Sequence, residues 1–205
     1  MELDELKKAW IQYDKKLSEN LKINQELLKK ITLGKSKHEM KLPKNYEIAS
    51  VVIGGLFILY FGVQTCMNIS EMKFFIPGII AILISILLVI GSIIKLNILS
   101  KMDYNNSSLV ELQKMINLFK QRAMLYRKIE YYSFPIFIIT FFPIGLKAIR
   151  NIDYTSFNNQ RLLVGLIMAI IIYYPFAIWF YKSGYDRKIK SATDFLSDLN
   201  KFVEE

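Results

Sequence analysis

The sequence predicts an all-α integral membrane protein with four transmembrane helices, arranged as two hairpins, plus three cytoplasmic amphipathic helices. Four apolar runs of roughly 20 residues interrupt an otherwise highly charged chain of 205 residues. A helix needs about 20 apolar residues to cross some 30 Å of hydrocarbon. In the charged stretches between these runs, apolar residues recur at alternating spacings of three and four, which is typical of amphipathic helices. Soluble cores rarely contain four such apolar runs, so we expect a multi-pass membrane protein.

The predicted spans divide the chain into five segments. The spans themselves are residues 48–67, 74–99, 131–149 and 162–181. The segments are an N-terminal amphipathic helix and linker (1–46), a first transmembrane hairpin (47–99), a cytoplasmic helical loop (100–130), a second hairpin (131–181) and a C-terminal cytoplasmic helix (182–205).

Lysine and arginine predict the orientation, because loops that stay in the cytoplasm carry an excess of both. Of the 27 such residues, 23 lie in residues 1–47, 95–130 and the tail after Tyr181. The two short links on the other side hold the remaining four. We therefore expect a protein of the bacterial cytoplasmic (inner) membrane, with both termini and the central loop in the cytoplasm. The net charge of +9 belongs to segments that flank the spans, which favours a membrane over nucleic acid as its partner.

The first amphipathic pattern covers residues 2–33 and predicts a helix with an apolar seam of the coiled-coil type. Gly34 follows as a C-cap, and Pro43 is expected to separate this helix from the first span. Asn20 and Asn24 interrupt the seam, unless Leu21 and Leu28 continue it after a four-residue stutter. The seam consists of Leu3, Leu6, Trp10, Tyr13, Leu17, Leu27 and Ile31.

Two further patterns of the same spacing lie in the central loop and the tail. Ser108 and Glu111 form the pattern of a capping box at the start of the second, which is expected to run directly into the third span. Ser183 and Gly184 are expected to kink the chain before the third. The second stripe is Leu109, Leu112, Ile116, Phe119, Ala123 and Tyr126, and the third is Tyr185, Ile189, Ala192, Leu196, Leu199 and Val203.

An apolar stripe on a cytoplasmic helix must be covered, and three alternatives are open. The stripes pack on one another as a small bundle, they engage another copy or a different protein, or the first helix lies on the membrane surface. Mixed acidic and basic residues on the polar face of the first helix weigh against the last alternative.

The sequence contains no motif of an enzyme active site, so we expect a non-enzymatic protein without cofactor or metal. Its single cysteine, Cys66, and single histidine, His38, form no ligand cluster. The spans carry no ionisable residue near the bilayer midplane, which weighs against a transporter. The ionisable residues near the span ends are expected at the interfaces, where lysines reach water: Glu47, Lys95, Glu130 and Lys147.

The N-terminal segment resembles a group of small bacterial membrane proteins whose genes often lie beside those of extracytoplasmic-function sigma factors. The similar features are the start M-E-L-D-E-L-K-K, Trp10, the D-K-K-L step at 14–17 and the N-Q-E-L-L step at 24–28. The resemblance covers the first 35 residues and, more loosely, the four-span layout. It implies a regulatory, anti-sigma-like role and transfers no catalytic residue.

The sequence therefore predicts an inner-membrane protein, embedded in the lipid bilayer, whose cytoplasmic helices bind a protein partner or a second copy. The alternative is a small transporter, a channel or an accessory subunit of a membrane complex. The expected contact stripe is Leu3, Leu6, Trp10, Tyr13 and Leu17.

Overall fold

A computed structural model describes residues 3–150 and 159–204, and within these ranges the chain is helical with no strand. This confirms the all-α prediction for the described residues. The elements in chain order are α1 (Leu3–Met67), α2 (Met72–Ser100), α3 (Leu109–Arg150), α4 (Asn159–Phe180), a π-helical segment (Tyr181–Asp186) and α5 (Arg187–Glu204).

Four helices of the described ranges are long and apolar enough to cross a membrane, as the sequence predicts. They are α1, α2, α3 and the continuous helix that α4 forms with the π-helical segment and α5. The chain therefore has the makeup of a multi-pass membrane protein. The second predicted outer link falls largely on residues 151–158, which lie outside the described residues.

The expectation of a separate N-terminal helix is wrong, because α1 is one helix of 65 residues that includes Gly34 and Pro43. A proline inside a helix loses one backbone hydrogen bond and costs about 3 kcal/mol. Pro43 is fully buried here, among residues 33–47 that pack on the rest of the chain. Tertiary packing at that point offsets the cost and keeps the helix continuous.

The other two amphipathic patterns are also continuous with predicted spans. Helix α3 begins after Ser108, whose Oγ accepts a hydrogen bond from the backbone N–H of Glu111 at 3.2 Å, which is one of the two hydrogen bonds of a capping box. It runs directly into the third predicted span, as predicted, and also continues through Pro135 and Pro143. At the expected kink around Ser183 and Gly184, the chain widens into one π-helical turn.

The larger core lies at one end of the bundle, here called the polar end. It is formed by residues 33–47 of α1, the end of α2, the start of α3, and α5. The apolar stripes of α3 and α5 pack against each other there, which is the bundle alternative for these two stripes. The buried residues of this larger core are Met40, Leu99, Leu112, Ile116, Phe119, Ala123, Tyr185, Ile189, Ala192 and Leu196.

In the apolar half of the molecule, α1 and α2 approach closely where small residues meet. A Cβ on Gly54 would lie 2.4 Å from a methyl carbon of Val89. The hydroxyl of Ser92 donates a hydrogen bond to the Ser50 hydroxyl at 3.0 Å. Small residues let transmembrane helices pack backbone to backbone, which explains how this hairpin closes.

Candidate functional site

The structure exposes the predicted contact stripe on the N-terminal part of α1. The side chains of Trp10, Tyr13 and Leu17 are 72%, 68% and 47% exposed. The side chains of Leu3 and Leu6 lie outside those that the structure describes. Further along, Leu27 and Ile31 are also about half exposed. Within the described residues, no element covers this stripe.

The stripe lies on sides of α1 that do not face the bundle of its own chain. Ser36, Met40, Pro43 and Glu47 are buried and define the side of α1 that packs on the bundle. At 100° per residue, residues 27 and 31 lie roughly 150–170° around the helix axis from the mean direction of that side, and residues 10, 13 and 17 lie roughly 90–150° from it. Another molecule could therefore approach the stripe without meeting the bundle.

A second group of functional interest is a buried ion-pair cluster, which joins three helices near the polar end. The Nζ of Lys95 on α2 lies 2.9 Å from Oε1 of Glu47 on α1 and 3.4 Å from Oε1 of Glu130 on α3. Lys95 and Glu47 are only 4% and 3% exposed. The expectation that this lysine reaches water is wrong, because its ammonium group is held between two carboxylates.

Two tyrosines of the π-helical segment complete the cluster. The hydroxyl of Tyr185 donates a hydrogen bond to Oε1 of Glu47 at 2.5 Å, and the hydroxyl of Tyr181 donates one to Oε2 of Glu130. Tyr181 and Tyr185 are four residues apart, so their side chains lie on the same side of the helix. The segment thus positions two donors against the two acids.

An Arg–Asp pair also holds the π-helical segment in place. The guanidinium of Arg127 donates two hydrogen bonds to the carboxylate of Asp186, at 2.8 and 2.6 Å. The same guanidinium lies 4.6 Å from the ring centre of Tyr181. This bidentate contact fixes α3 to the π-helical segment.

A cavity of about 410 Å³ opens beside the ion-pair cluster. Glu47, Lys95 and Glu130 are its charged lining residues. The aromatic residues that line it are Tyr46, Phe134, Tyr173, Phe180, Tyr181 and Tyr185.

One carboxylate oxygen in this cavity has no partner. Oε2 of Glu47 is buried and accepts no hydrogen bond within the described residues. Buried polar atoms are nearly always hydrogen-bonded, since leaving one unpaired costs about 1–3 kcal/mol. The cavity therefore contains an unsatisfied negative acceptor.

The sequence predicts that these two acids and the lysine lie near the ends of the spans, but it does not predict that they pair. A usable signal was present: Lys95 lies inside the second apolar run, with Glu47 and Glu130 at the same predicted depth on two other spans. The pairing itself depends on which faces of three helices meet, and apolar runs do not determine that.

The described residues contain no group of three or more His, Cys, Asp or Glu side chains that could hold a metal ion. No family model, curated protein or solved structure matches this chain. Function is therefore inferred from the geometry.

Proposed function

We propose that this protein is a non-enzymatic inner-membrane protein that binds another helix through the exposed apolar stripe of α1, and that this helix belongs to a second copy of the chain. The observation that carries the proposal is the exposure of Trp10, Tyr13 and Leu17 on a helix that extends beyond its own bundle. Fully burying a side chain of this size stabilises by about 1.5–3 kcal/mol, so such a stripe favours association.

The charge of this segment is compatible with self-association. Residues 1–33 contain seven lysines and six acidic residues, so two copies would repel each other little. A strongly basic segment would instead favour an acidic partner.

The spacing supports a parallel pair. In a heptad repeat that places Leu3 at position a, Trp10, Leu17, Asn24 and Ile31 also fall at a. An asparagine at a single a position is the residue that specifies register in two-stranded parallel coiled coils. Two copies inserted in the same membrane with the same orientation extend their α1 helices in the same direction, which is the arrangement that a parallel pair requires.

The outward side of α1 stays accessible within the predicted span. Val52 and Leu59 are 58% and 68% exposed, and Gly55 and Gly62 have open space in front of them. A second α1 could therefore continue the contact into the bilayer, where close approach at small residues favours helix pairing.

Disulfide cross-linking of the full-length protein tests this proposal. In a Cys66→Ser background, Leu17→Cys and Asn24→Cys place a thiol at an a position, where identical residues of a parallel pair face each other. We expect mild oxidation in membranes to give a covalent dimer on a non-reducing gel for both variants.

The matched control is Lys22→Cys, on the opposite face of the same helix. It is expected to stay monomeric under the same oxidation. The double variant Trp10→Ala, Leu17→Ala is expected to weaken the dimer at least tenfold, whereas Lys15→Ala, Lys22→Ala leaves it intact. Equal cross-linking at residues 17, 24 and 22, or none at any, would contradict the pairing.

The anti-sigma-like role implied by the N-terminal resemblance predicts a different occupant, a cytosolic regulator such as a sigma factor. Purifying the full chain from its host, together with the proteins bound to it, distinguishes a second copy from a cytosolic regulator as the occupant. A sigma factor that co-purifies with wild type but not with the Trp10→Ala, Leu17→Ala variant, without any cross-linked dimer, would replace the second copy as the occupant.

A further inference from the structure

We infer that the cavity beside the Glu47–Lys95–Glu130 cluster is a binding site for a small organic cation, an ammonium compound with an apolar substituent. This inference is independent of the pairing of α1.

The first argument is charge. Two acids and one lysine line the cavity, so when ionised they leave one negative charge uncompensated. The neighbouring Arg127 does not neutralise this negative charge, because both of its terminal nitrogens donate to Asp186. Charge buried away from water is costly unless it is paired, so a cation in the cavity would be stabilised there.

The second argument is the unpaired Oε2 of Glu47. Glu47 is only 3% exposed. Its other carboxylate oxygen, Oε1, already contacts the ammonium group of Lys95 and accepts a hydrogen bond from the Tyr185 hydroxyl. Oε2 finds no donor among the described residues and lies on a residue that lines the cavity. An N–H of a bound ammonium group would satisfy it.

The third argument is the character of the walls. Six aromatic rings line the cavity, and aromatic faces attract cations when water is excluded. A volume of about 410 Å³ is in the range of pockets that hold small organic molecules. Aromatic walls with one free carboxylate oxygen suit an organic ammonium better than a metal ion, which needs several oxygen, nitrogen or sulfur ligands.

The cavity opens at one side of α1, beside the outward face on which Val52 lies. Ala49, Ser50 and Ile53 line it and are exposed on that helix. These positions fall at the start of the first predicted span, so a ligand would reach the cavity from the edge of the bilayer. An amphiphilic cation concentrates at that level of a membrane, which fits the chemistry of the walls.

Calorimetry on the full chain tests this site, in nanodiscs of zwitterionic phosphatidylcholine so that the lipid adds no net surface charge. The probe is benzylammonium, whose N–H groups can donate to Oε2 of Glu47, and the uncharged comparison compound is N-benzylacetamide. We expect the cation to bind at least about tenfold more tightly than the neutral compound, the ratio for a charge-assisted contact. Equal affinities, or no binding of the cation at millimolar concentration, would overturn the proposal.

Variants localise the binding. Glu47→Gln keeps the shape of the side chain and removes the charge, and is expected to weaken cation binding at least about tenfold. The matched control is Glu71→Gln, which changes a carboxylate in the link between α1 and α2, beyond the other end of both helices, and is expected to leave the affinity unchanged.

A second variant avoids the ion pairs altogether. Ala49→Phe, at the exposed edge of the cavity, is expected to fill its mouth and reduce binding without altering any charge. If Ala49→Phe and Glu47→Gln, both eluting as folded protein, bind the cation as tightly as wild type, the cavity is not the site.

Discussion

Single ionisable side chains determine how the spans meet near the polar end. Lys95 links α2 to α1 and α3 through Glu47 and Glu130, and each of these three groups would be costly to bury alone. Their mutual contact, with hydrogen bonds from Tyr181 and Tyr185, makes the burial tolerable. The cluster therefore specifies one arrangement of three helices rather than adding much net stability.

Removing the lysine alone is expected to be strongly destabilising. Lys95→Met leaves two buried carboxylates without their cation, and loss of one partner of a buried pair costs about 3–5 kcal/mol. A denaturant titration of the purified protein in detergent measures this as a lower midpoint. The double variant Lys95→Met, Glu47→Gln should recover part of the loss, and Lys101→Met, on an exposed residue, should change little. A midpoint for Lys95→Met equal to that of wild type would contradict the role of the pair.

The connection between α2 and α3 is held by a carboxylate that responds to pH. The backbone N–H of Asn105 and the side-chain amide of Asn106 donate to Asp103, which lowers the pKa of Asp103 below its ordinary 3.8. A lowered pKa means that these bonds stabilise the folded connection fully above about pH 3.8. Their contribution is lost as the pH falls through the lower pKa of the folded state.

We therefore expect the NMR shift of the Asn105 amide proton to titrate with a midpoint below 3.8. Asp103→Asn should abolish that transition. A midpoint at or above 3.8 in the wild-type protein would show that the two amides do not stabilise the charged carboxylate.

At the scale of elements, the main feature is the continuity of α1 through Gly34 and Pro43. Residues 33–47 of this helix contact α5, including a hydrogen bond from the hydroxyl of Ser36 to the carbonyl of Ala192 at 3.2 Å and an ion pair between Glu39 and Lys188 at 2.8 Å. These contacts keep the helix continuous where a proline alone would bend or end it. The exposed stripe is thereby carried on a continuous extension of a predicted span.

Spin-label distances check this continuity. Labels at Lys30→Cys and Leu56→Cys in a Cys66→Ser background lie on either side of Pro43, and a continuous helix with a rise of 1.5 Å per residue separates them by about 39 Å. Dilution with unlabelled protein removes distances between copies. A control pair at residues 7 and 30, entirely before Gly34, should give about 35 Å. A distance well below 39 Å across Pro43 would show that the helix breaks there.

At the scale of the whole molecule, the bundle has a polar end and an apolar half. The polar end holds the larger core, the ion-pair cluster and the base of the N-terminal extension, whereas exposed apolar side chains cover the other half. Such a surface suits lipid, and the excess of lysine and arginine at the polar end predicts that this end faces the cytoplasm. The cation site proposed above, if occupied, is what the transporter alternative would require.

The single cysteine tests that orientation. Cys66 is exposed near the end of α1 that lies away from the polar end. We expect a membrane-impermeant maleimide to label Cys66 from the outside of sealed spheroplasts. Lys101→Cys in a Cys66→Ser background, between α2 and α3, should react only after permeabilisation. The opposite pattern would reverse the predicted topology.

Local properties of the sequence determined much of this protein. Apolar runs of sufficient length predicted four spans, and the 3–4 spacing of Leu112 to Ala123 and of Tyr185 to Leu199 predicted which faces of α3 and α5 are buried. The helix cap at Ser108 and a distortion of the helix near Gly184 were also predictable, because caps and helix distortions depend on a few neighbouring residues.

Only the tertiary structure decided the rest. Whether Pro43 ends a helix depends on packing energy from α5, which is distant in sequence. Whether Glu47, Lys95 and Glu130 reach water or each other depends on the rotation of three helices about their axes. Which stripe stays uncovered depends on the direction in which α1 leaves the bundle, because side chains of the extension that do not face the bundle have no part of the described chain to pack on.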